Sequence, residues 1–167
     1  MKKKIFIILI VLAIIIVLIN GKNINFKKIE TKLLNNYNSY QKEEYYGYLI
    51  IPSININLGF YNYDNPLNDV SKNIELIKIP VKNSYLFAAH SGIGKIAYFN
   101  DLDKLKENDI IYLKIKNTTN KYKVAKINRV KKSGDIEITN EENKIYLTTC
   151  DQIIEGYQLV VEGTILN

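Results

Sequence analysis

The residues of this chain that could perform nucleophilic chemistry are its single cysteine, Cys150, and its single histidine, His90. Each follows a strand-like run, residues 144–149 before the thiol and 85–89 before the imidazole. A lone thiol cannot form an internal disulfide, so it is either a small buried hydrophobe or a reactive nucleophile. A neighbouring imidazolium stabilises the reactive thiolate, and the two residues can be far apart in sequence. The residue types alone leave both a thiol enzyme and purely structural roles open.

Composition disfavours two other kinds of site. One cysteine and one histidine supply only two of the ligands that a zinc site normally uses, so no metal is expected. The net charge is +6, but the lysines are scattered and Arg129 is the only arginine among 23 basic residues. Nucleic-acid-binding proteins usually cluster their basic residues and rely on arginine. We therefore expect no nucleic-acid partner, and the charge favours a nearby anionic surface such as a membrane or cell wall.

The elements that must position Cys150 and His90 are short strands, because apolar residues recur with period two from Tyr46 onward. The apolar phase slips between Val124 and Ala125, which predicts a bulge. No long helix separates the strands, so the fold class is predicted to be all-β, an antiparallel barrel or sandwich. The predicted strands are 47–52, 54–58, 74–79, 85–89, 109–116, 121–130, 144–150 and 158–165, with helical turns at 67–72 and 101–105 and a loop at 117–120.

The N-terminus predicts a membrane anchor. Three lysines precede fifteen consecutive apolar residues, Ile5 to Ile19, which by the positive-inside rule predicts a cytoplasmic N-terminus and an extracellular domain. A cleaved signal peptide is the alternative, but no small-residue cleavage site follows the apolar block. We therefore predict a single-pass signal anchor (transmembrane helix) at 1–21, a polar stalk or short helix at 22–45, and one domain at 46–167.

Several motifs follow one another along the chain. Residues 146–150 read Tyr-Leu-Thr-Thr-Cys, and residues 88–91 read Ala-Ala-His-Ser. Residues 48–54 contain an Ile-Pro segment in the first predicted strand, and residues 98–102 and 109–112 follow the histidine. In this order the motifs resemble those of sortases, the membrane-anchored cysteine transpeptidases of Gram-positive cell surfaces, whose cysteine signature is Thr-Leu-X-Thr-Cys, with Tyr146 in place of the first threonine. The resemblance spans residues 46–165.

The resemblance implies an eight-stranded sortase-like β-barrel with short helices and a two-step acyl transfer. Cys150 would attack a Leu-Pro-X-Thr-Gly-like sorting signal of secreted surface proteins to form a thioacyl enzyme, and His90 would protonate the departing amine. An amine of a peptidoglycan precursor would then resolve the thioester. The implied substrate-binding residues are Thr149, Ala89 and Ser91, which flank the two catalytic residues. No metal or organic cofactor is implied.

The chain departs from the family at one site position. Sortases carry an arginine at the start of the last strand, and the resemblance places Gln158 there as the third catalytic residue. Its amide can donate hydrogen bonds but carries no charge. Gln158 could instead be a polar residue on the outer face of an edge strand, and Arg129 lies on a different predicted strand, from which we do not expect it to reach the site.

Three functions therefore remain open: a transpeptidase, a catalytically weak or inactive relative that binds surface peptides, and a thiol hydrolase. Retention of both Cys150 and His90 favours an enzyme. The N-terminal anchor and a compact domain without an obvious lid insertion resemble the general anchoring classes A and D more than the pilus-polymerising class.

Overall fold

The domain is an all-β near-barrel with almost no helix. A computed structural model describes residues 45–133 and 135–166, so the predicted anchor at 1–21 and nearly all of the predicted stalk lie outside the described residues. The strands are β1 Gly47–Ile51, β2 Ile56–Phe60, β3 Glu75–Ile77, β4 Tyr85–Ala88, β5 Ile110–Ile115, β6 Thr118–Lys131, β7 Lys144–Cys150 and β8 Tyr157–Ile165. Two short 3₁₀ helices, Pro52–Ile54 and Leu102–Lys104, interrupt them. Within the described ranges, no helix is long and apolar enough to cross a membrane.

The eight strands form one sheet in the order β2-β1-β5-β6-β8-β7-β4-β3. Among the described strands, every neighbouring pair is antiparallel except β4 and β7, which run parallel. The sheet curls so that its two ends approach each other. The rings of Phe60 on β2 and Phe87 on β4 stack edge to face at 4.8 Å, and the Asn73 amide, just before β3, donates to the Gly59 carbonyl of β2.

The core fills the inside of this curled sheet. Successive side chains of a strand point to opposite faces, so each strand contributes alternate residues to it. Leu49, Leu113, Leu147 and Val161 are among its fully or almost fully buried members. Burying each such side chain contributes about 1.5–3 kcal/mol relative to leaving it exposed.

The structure confirms the predicted bulge, moves the start of one predicted strand and contradicts one predicted loop. The bulge is present, because Val124 pairs with Gly163 and Lys126 with Glu162, which leaves Ala125 out of register. β2 begins two residues later than predicted, because proline at position 52 starts a 3₁₀ turn that ends at Asn55 in a left-handed conformation. The predicted loop at 117–120 is wrong, since Ile115 already pairs with Thr118 across a two-residue turn.

The two predicted helical turns have different outcomes. The turn at 101–105 is present as the 3₁₀ helix Leu102–Lys104. Residues 67–72 form hydrogen-bonded turns rather than a helix. Side chains compete with a helix there, because the Asn65 side-chain oxygen accepts the Leu67 N–H and the Asp69 carboxylate accepts the Ser71 N–H and hydroxyl.

Candidate active site

Cys150 stands at the exposed end of a strand that is otherwise buried. All residues of β7 from Lys144 to Thr149 are buried, and the thiol residue alone is exposed. The inner face of β7 packs into the core through Ile145 and Leu147. Its outer face is covered by the described part of the loop at 132–143, where the Tyr146 hydroxyl contacts the Thr139 hydroxyl at 2.9 Å. A rigid, doubly covered strand therefore holds the thiol at the rim, where a substrate can reach it.

The parallel pairing of β4 with β7 brings His90 beside Cys150. The register pairs Ala88 with Thr148, and carrying it two residues further places His90 level with Cys150. Hydrogen bonds continue past the end of the ladder: the Ala89 N–H donates to the Thr148 carbonyl, and the Thr149 hydroxyl donates to the Ala89 carbonyl at 2.8 Å. The two strand ends are thus held together up to the residues that carry the candidate nucleophile and acid–base group.

Ser91 extends this connection by one residue. Its hydroxyl donates to the Cys150 carbonyl at 2.6 Å, which ties the start of the histidine loop to the cysteine backbone. The hydroxyls of Thr149 and Ser91 are therefore both engaged in joining the two strands. Their predicted role in binding substrate, like that of Ala89, stays a prediction.

The loops that follow His90 and Cys150 also meet, at Asn100. The loop from 91 to 98 closes where the Phe99 N–H donates to the His90 carbonyl. The Asn100 side-chain oxygen accepts the Gly92 N–H, and its backbone carbonyl accepts the Gln152 amide at 2.8 Å. Asn100 therefore connects the loop after the histidine to the loop after the cysteine.

Gln158 lies directly opposite Cys150, in the antiparallel ladder between β7 and β8. β8 runs between β6 and β7, so Gln158 is not on an edge strand. It is only 9% exposed, and its amide donates to the Asp135 carbonyl at 3.1 Å. Gln158 is thus the cross-strand partner of Cys150, and one of its amide donors holds the loop that covers β7.

Lys132 is a neighbour of the thiol that the sequence analysis missed. Its Nζ lies 3.4 Å from the Cys150 Sγ, within hydrogen-bonding distance. Its backbone N–H donates to the Gly156 carbonyl at 2.8 Å, which fixes the residue against the start of β8. Val130, two residues earlier, pairs with Gln158, so alternation places Val130, Lys132, Gln158 and Cys150 on one face of the sheet. No pattern in the sequence marks this lysine, because its place beside the thiol depends on the register of β6 with β8.

Arg129 lies only three residues before Lys132, but its side chain is on the opposite face of the sheet from the thiol. It pairs with Leu159, a core residue, and its Nε lies 2.6 Å from an Asp151 carboxylate oxygen. Burial alone would raise the pKa of Asp151, but the Ile153 and Ile154 N–H groups and the Arg129 charge together hold it below its usual range. Asp151 follows Cys150 directly, so its side chain points to the opposite face from the thiol.

The sequence profile of the Sortase domain matches residues 49–165. The match covers well over half of the chain and includes His90, Cys150 and Gln158. This chain belongs to the sortase family. Sortases are cysteine transpeptidases, and the family predicted from the collinear motifs is confirmed.

Solved sortase structures resemble this sortase over the same region. Sortase C of Streptococcus pneumoniae, an enzyme with pilin substrates, is 28% identical with a TM-score of 0.63 and covers 75% of this chain and 70% of its own. Sortase C2 of group B Streptococcus pilus island 1 is 26% identical with a TM-score of 0.62, covering 75% and 76%. A lid mutant of Corynebacterium diphtheriae sortase A shares the fold at 23% identity, TM-score 0.63 and 76% and 74% coverage. No curated protein matches this chain significantly.

The similarity to both sortase C and sortase A structures places this sortase in the shared fold, and the class A/D-like assignment stays a prediction. The strand pairings bring His90, Cys150 and Gln158 to one rim of the near-barrel. The catalytic roles of these three residues stay predictions.

Proposed function

We propose that this sortase is a cysteine transpeptidase that cleaves a Leu-Pro-X-Thr-Gly-like sorting signal and transfers the acyl fragment to a cell-wall amine. The observation that carries the proposal is the parallel register of β4 and β7, which ends at the pair Ala88 and Thr148 and, extended by two residues, sets His90 level with Cys150. A thiol and an imidazole on two hydrogen-bonded strand ends satisfy the need of a cysteine nucleophile for an adjacent acid–base group.

In the first step the Cys150 thiolate attacks the backbone carbonyl of the threonine in the sorting signal. The new carbon–sulfur bond forms as the carbonyl electron pair moves to oxygen. When this pair returns, the carbon–nitrogen bond breaks, and the imidazolium of His90 gives its proton to the leaving amine. The product is a thioester on Cys150 and a free C-terminal fragment.

In the second step an amine attacks the thioester, and neutral His90 accepts its proton. The sulfur leaves as thiolate, and a new amide joins the cleaved protein to the acceptor. A peptidoglycan precursor offers such an amine outside the membrane. This fits the proposed arrangement of an anchor at 1–21, a stalk at 22–45 and an extracellular catalytic domain at 46–167. Water in place of the amine would make the same site a thiol hydrolase.

Substrate choice belongs to the two loops that flank the thiol. The loop after His90 is bonded to Cys150 itself, and the loop at 132–143 is bonded to Gln158, which pairs with Cys150. The Ser91 hydroxyl meets the Cys150 carbonyl, and the Asp135 carbonyl meets the Gln158 amide. These two loops therefore border any groove that delivers a peptide to the sulfur.

The test is to incubate the full-length protein in detergent with a library of sorting-signal peptides and to measure the mass of the Cys150 peptide. We expect a mass gain equal to the N-terminal half of a cleaved peptide, and none in Cys150→Ala. The alternative is a peptide-binding protein that does not react, an idea motivated by the uncharged Gln158 at the family's arginine position. It gains support if the wild type forms no adduct with any peptide while Gln158→Arg does.

A further inference from the structure

Gln158, which the motifs align with the arginine of other sortases, provides no positive charge beside the thiol. The tetrahedral intermediates of acyl transfer carry a negative oxygen, and stabilising such an oxyanion is usually the largest single contribution to the rate. Gln158 is neutral, and one of its amide donors is engaged with the Asp135 carbonyl. Arg129 is paired with Asp151 on the opposite face of the sheet. Neither residue supplies a free positive charge beside the thiol.

We propose that Lys132 supplies this charge: it is a catalytic residue of this sortase, whose ammonium donates a hydrogen bond to the substrate oxyanion formed at Cys150. The inference rests on the proposed transpeptidase function and adds to it a residue from outside the family motifs. The positive charge then comes from the loop after β6, whereas in the family pattern it comes from an arginine at the start of β8.

The distance between Lys132 and Cys150 supports the assignment. The Nζ already lies 3.4 Å from the Sγ. The carbon that Sγ attacks becomes bonded to it, so the oxyanion forms only two bonds away from the sulfur. A flexible ammonium with three N–H donors that touches the sulfur can therefore turn to the new oxygen without moving its backbone.

The anchoring of Lys132 also supports it. Its backbone N–H is bonded to the Gly156 carbonyl, directly before β8, and alternation from Val130 directs its side chain to the face of the thiol. Lys131, its neighbour, pairs with Tyr157 and points to the opposite face. Among the ion pairs of the described residues, none joins Lys132 to a carboxylate, so its charge remains available.

The chemistry balances without any further reactant. As the carbon–sulfur bond forms, the carbonyl electron pair becomes the oxyanion, and an N–H of the Lys132 ammonium shares its hydrogen with that oxygen without giving it up. The pair returns when the carbon–nitrogen bond breaks, and His90 supplies the proton for the amine. Lys132 keeps its proton throughout, so only His90 changes its protonation state.

The first arm of the test probes the charge beside the thiol without a peptide substrate. Cys150 of the full-length protein is alkylated with anionic iodoacetate and with neutral iodoacetamide, and the ratio of the two rates is measured. We expect Lys132→Gln to lower this ratio several-fold, Lys132→Arg to keep it and the control Lys131→Gln to leave it unchanged. The difference should shrink at about 1 M salt, where charges are screened beyond about 3 Å. A wild-type ratio in Lys132→Gln would overturn the proposal.

The second arm measures thioacyl formation with a reactive sorting-signal peptide. Removing one oxyanion donor from an enclosed site lowers the rate about 10²–10³-fold. Lys132 is exposed, so its loss should have a smaller effect. We expect Lys132→Gln to lower kcat about tenfold to a hundredfold with little change in KM. Lys132→Arg should retain most of the rate. An unchanged kcat in a folded Lys132→Gln variant would refute the catalytic role.

The two arms separate failure of this inference from failure of the proposed function. If the wild type forms no thioester with any peptide, the proposed function fails and the oxyanion role fails with it, whatever the alkylation ratio. If the wild type reacts and Lys132→Gln reacts equally well, only the assignment of Lys132 is wrong. Unfolding curves for each variant exclude loss of the fold as the cause.

Discussion

Gln158 faces Cys150 across the β7–β8 ladder, yet its amide holds the carbonyl of Asp135 in the covering loop at 3.1 Å. Gln158 thus pairs with the cysteine while it fastens the loop that begins at Lys132. Under our proposal, Lys132 supplies the charge beside the thiol and Gln158 holds the loop in place.

Gln158→Leu should loosen the loop at 132–143. The variant loses a largely buried hydrogen bond, which should lower the free energy of unfolding by about 1 kcal/mol. It should also speed amide hydrogen exchange and proteolysis within the loop. Gln152→Leu is the matched control, because the Gln152 amide also donates to a backbone carbonyl, that of Asn100, but outside this loop. Equal exchange of the loop in both variants would contradict the role of Gln158.

Thr149→Val should separate the ends of β4 and β7. The buried Thr149 hydroxyl donates to the Ala89 carbonyl, and its removal leaves that carbonyl unpaired at a cost of about 1–3 kcal/mol in unfolding free energy. The rate of thioacyl formation should also fall, because His90 loses its fixed distance from the thiol.

The control for that variant is Thr148→Val, one residue earlier on the same strand. The Thr148 hydroxyl is also buried and donates to the Leu159 carbonyl of β8. The unfolding free energy should fall by a comparable amount, but the β4–β7 junction stays intact. Both proteins are measured by urea unfolding and by mass spectrometry of the thioester. Equal loss of rate in the two variants would refute the positioning role of Thr149.

Acid should destabilise the fold in part through Asp151. Its pKa is lower in the folded protein than the usual value, so the unfolded chain takes up the proton first as the pH falls. The stabilisation is therefore complete well above the usual pKa of an aspartate, about 3.9, and is lost as the pH falls through the lower pKa of the folded state. Urea midpoints between pH 5 and pH 3 should fall less steeply in Asp151→Asn than in wild type.

Asp64→Asn serves as the control for this comparison, since Asp64 is an exposed carboxyl in a loop far along the chain from the site. Its midpoint should follow the wild-type slope. If Asp151→Asn shows the same pH dependence as Asp64→Asn, the ion pair with Arg129 and the N–H groups of Ile153 and Ile154 do not stabilise the carboxylate as described.

The positions of most strands could be predicted because burial on one face leaves a period-two pattern. The phase slip at Ala125 even located the bulge. The start of β2 was displaced because Ile54 fits an alternating pattern, while Pro52 fixes a local turn that overrides it. The alternation of apolar residues therefore shows where strands form, whereas local backbone geometry sets the residues at which they begin and end.

The site was predictable where residue types are rare and unpredictable where they are common. A single cysteine and a single histidine at strand ends are conspicuous, whereas Lys132 is one of many lysines with no pattern to distinguish it. Its contact with Cys150 depends on the register of β6 with β8 and on the loop at 132–143, both of which arise from tertiary pairing. The ion pair of Arg129 with Asp151 has the same origin.

The central claim is that Cys150 forms a thioester that an amine can resolve with His90 as acid and base. The most direct measurement follows a fluorescent sorting-signal peptide with the full-length protein in the presence of triglycine and resolves transferred from hydrolysed product by chromatography. The account predicts triglycine-linked product with wild type, none with Cys150→Ala and a large loss with His90→Ala. Cleavage that persists in Cys150→Ala, or hydrolysed product alone at saturating triglycine, would contradict it.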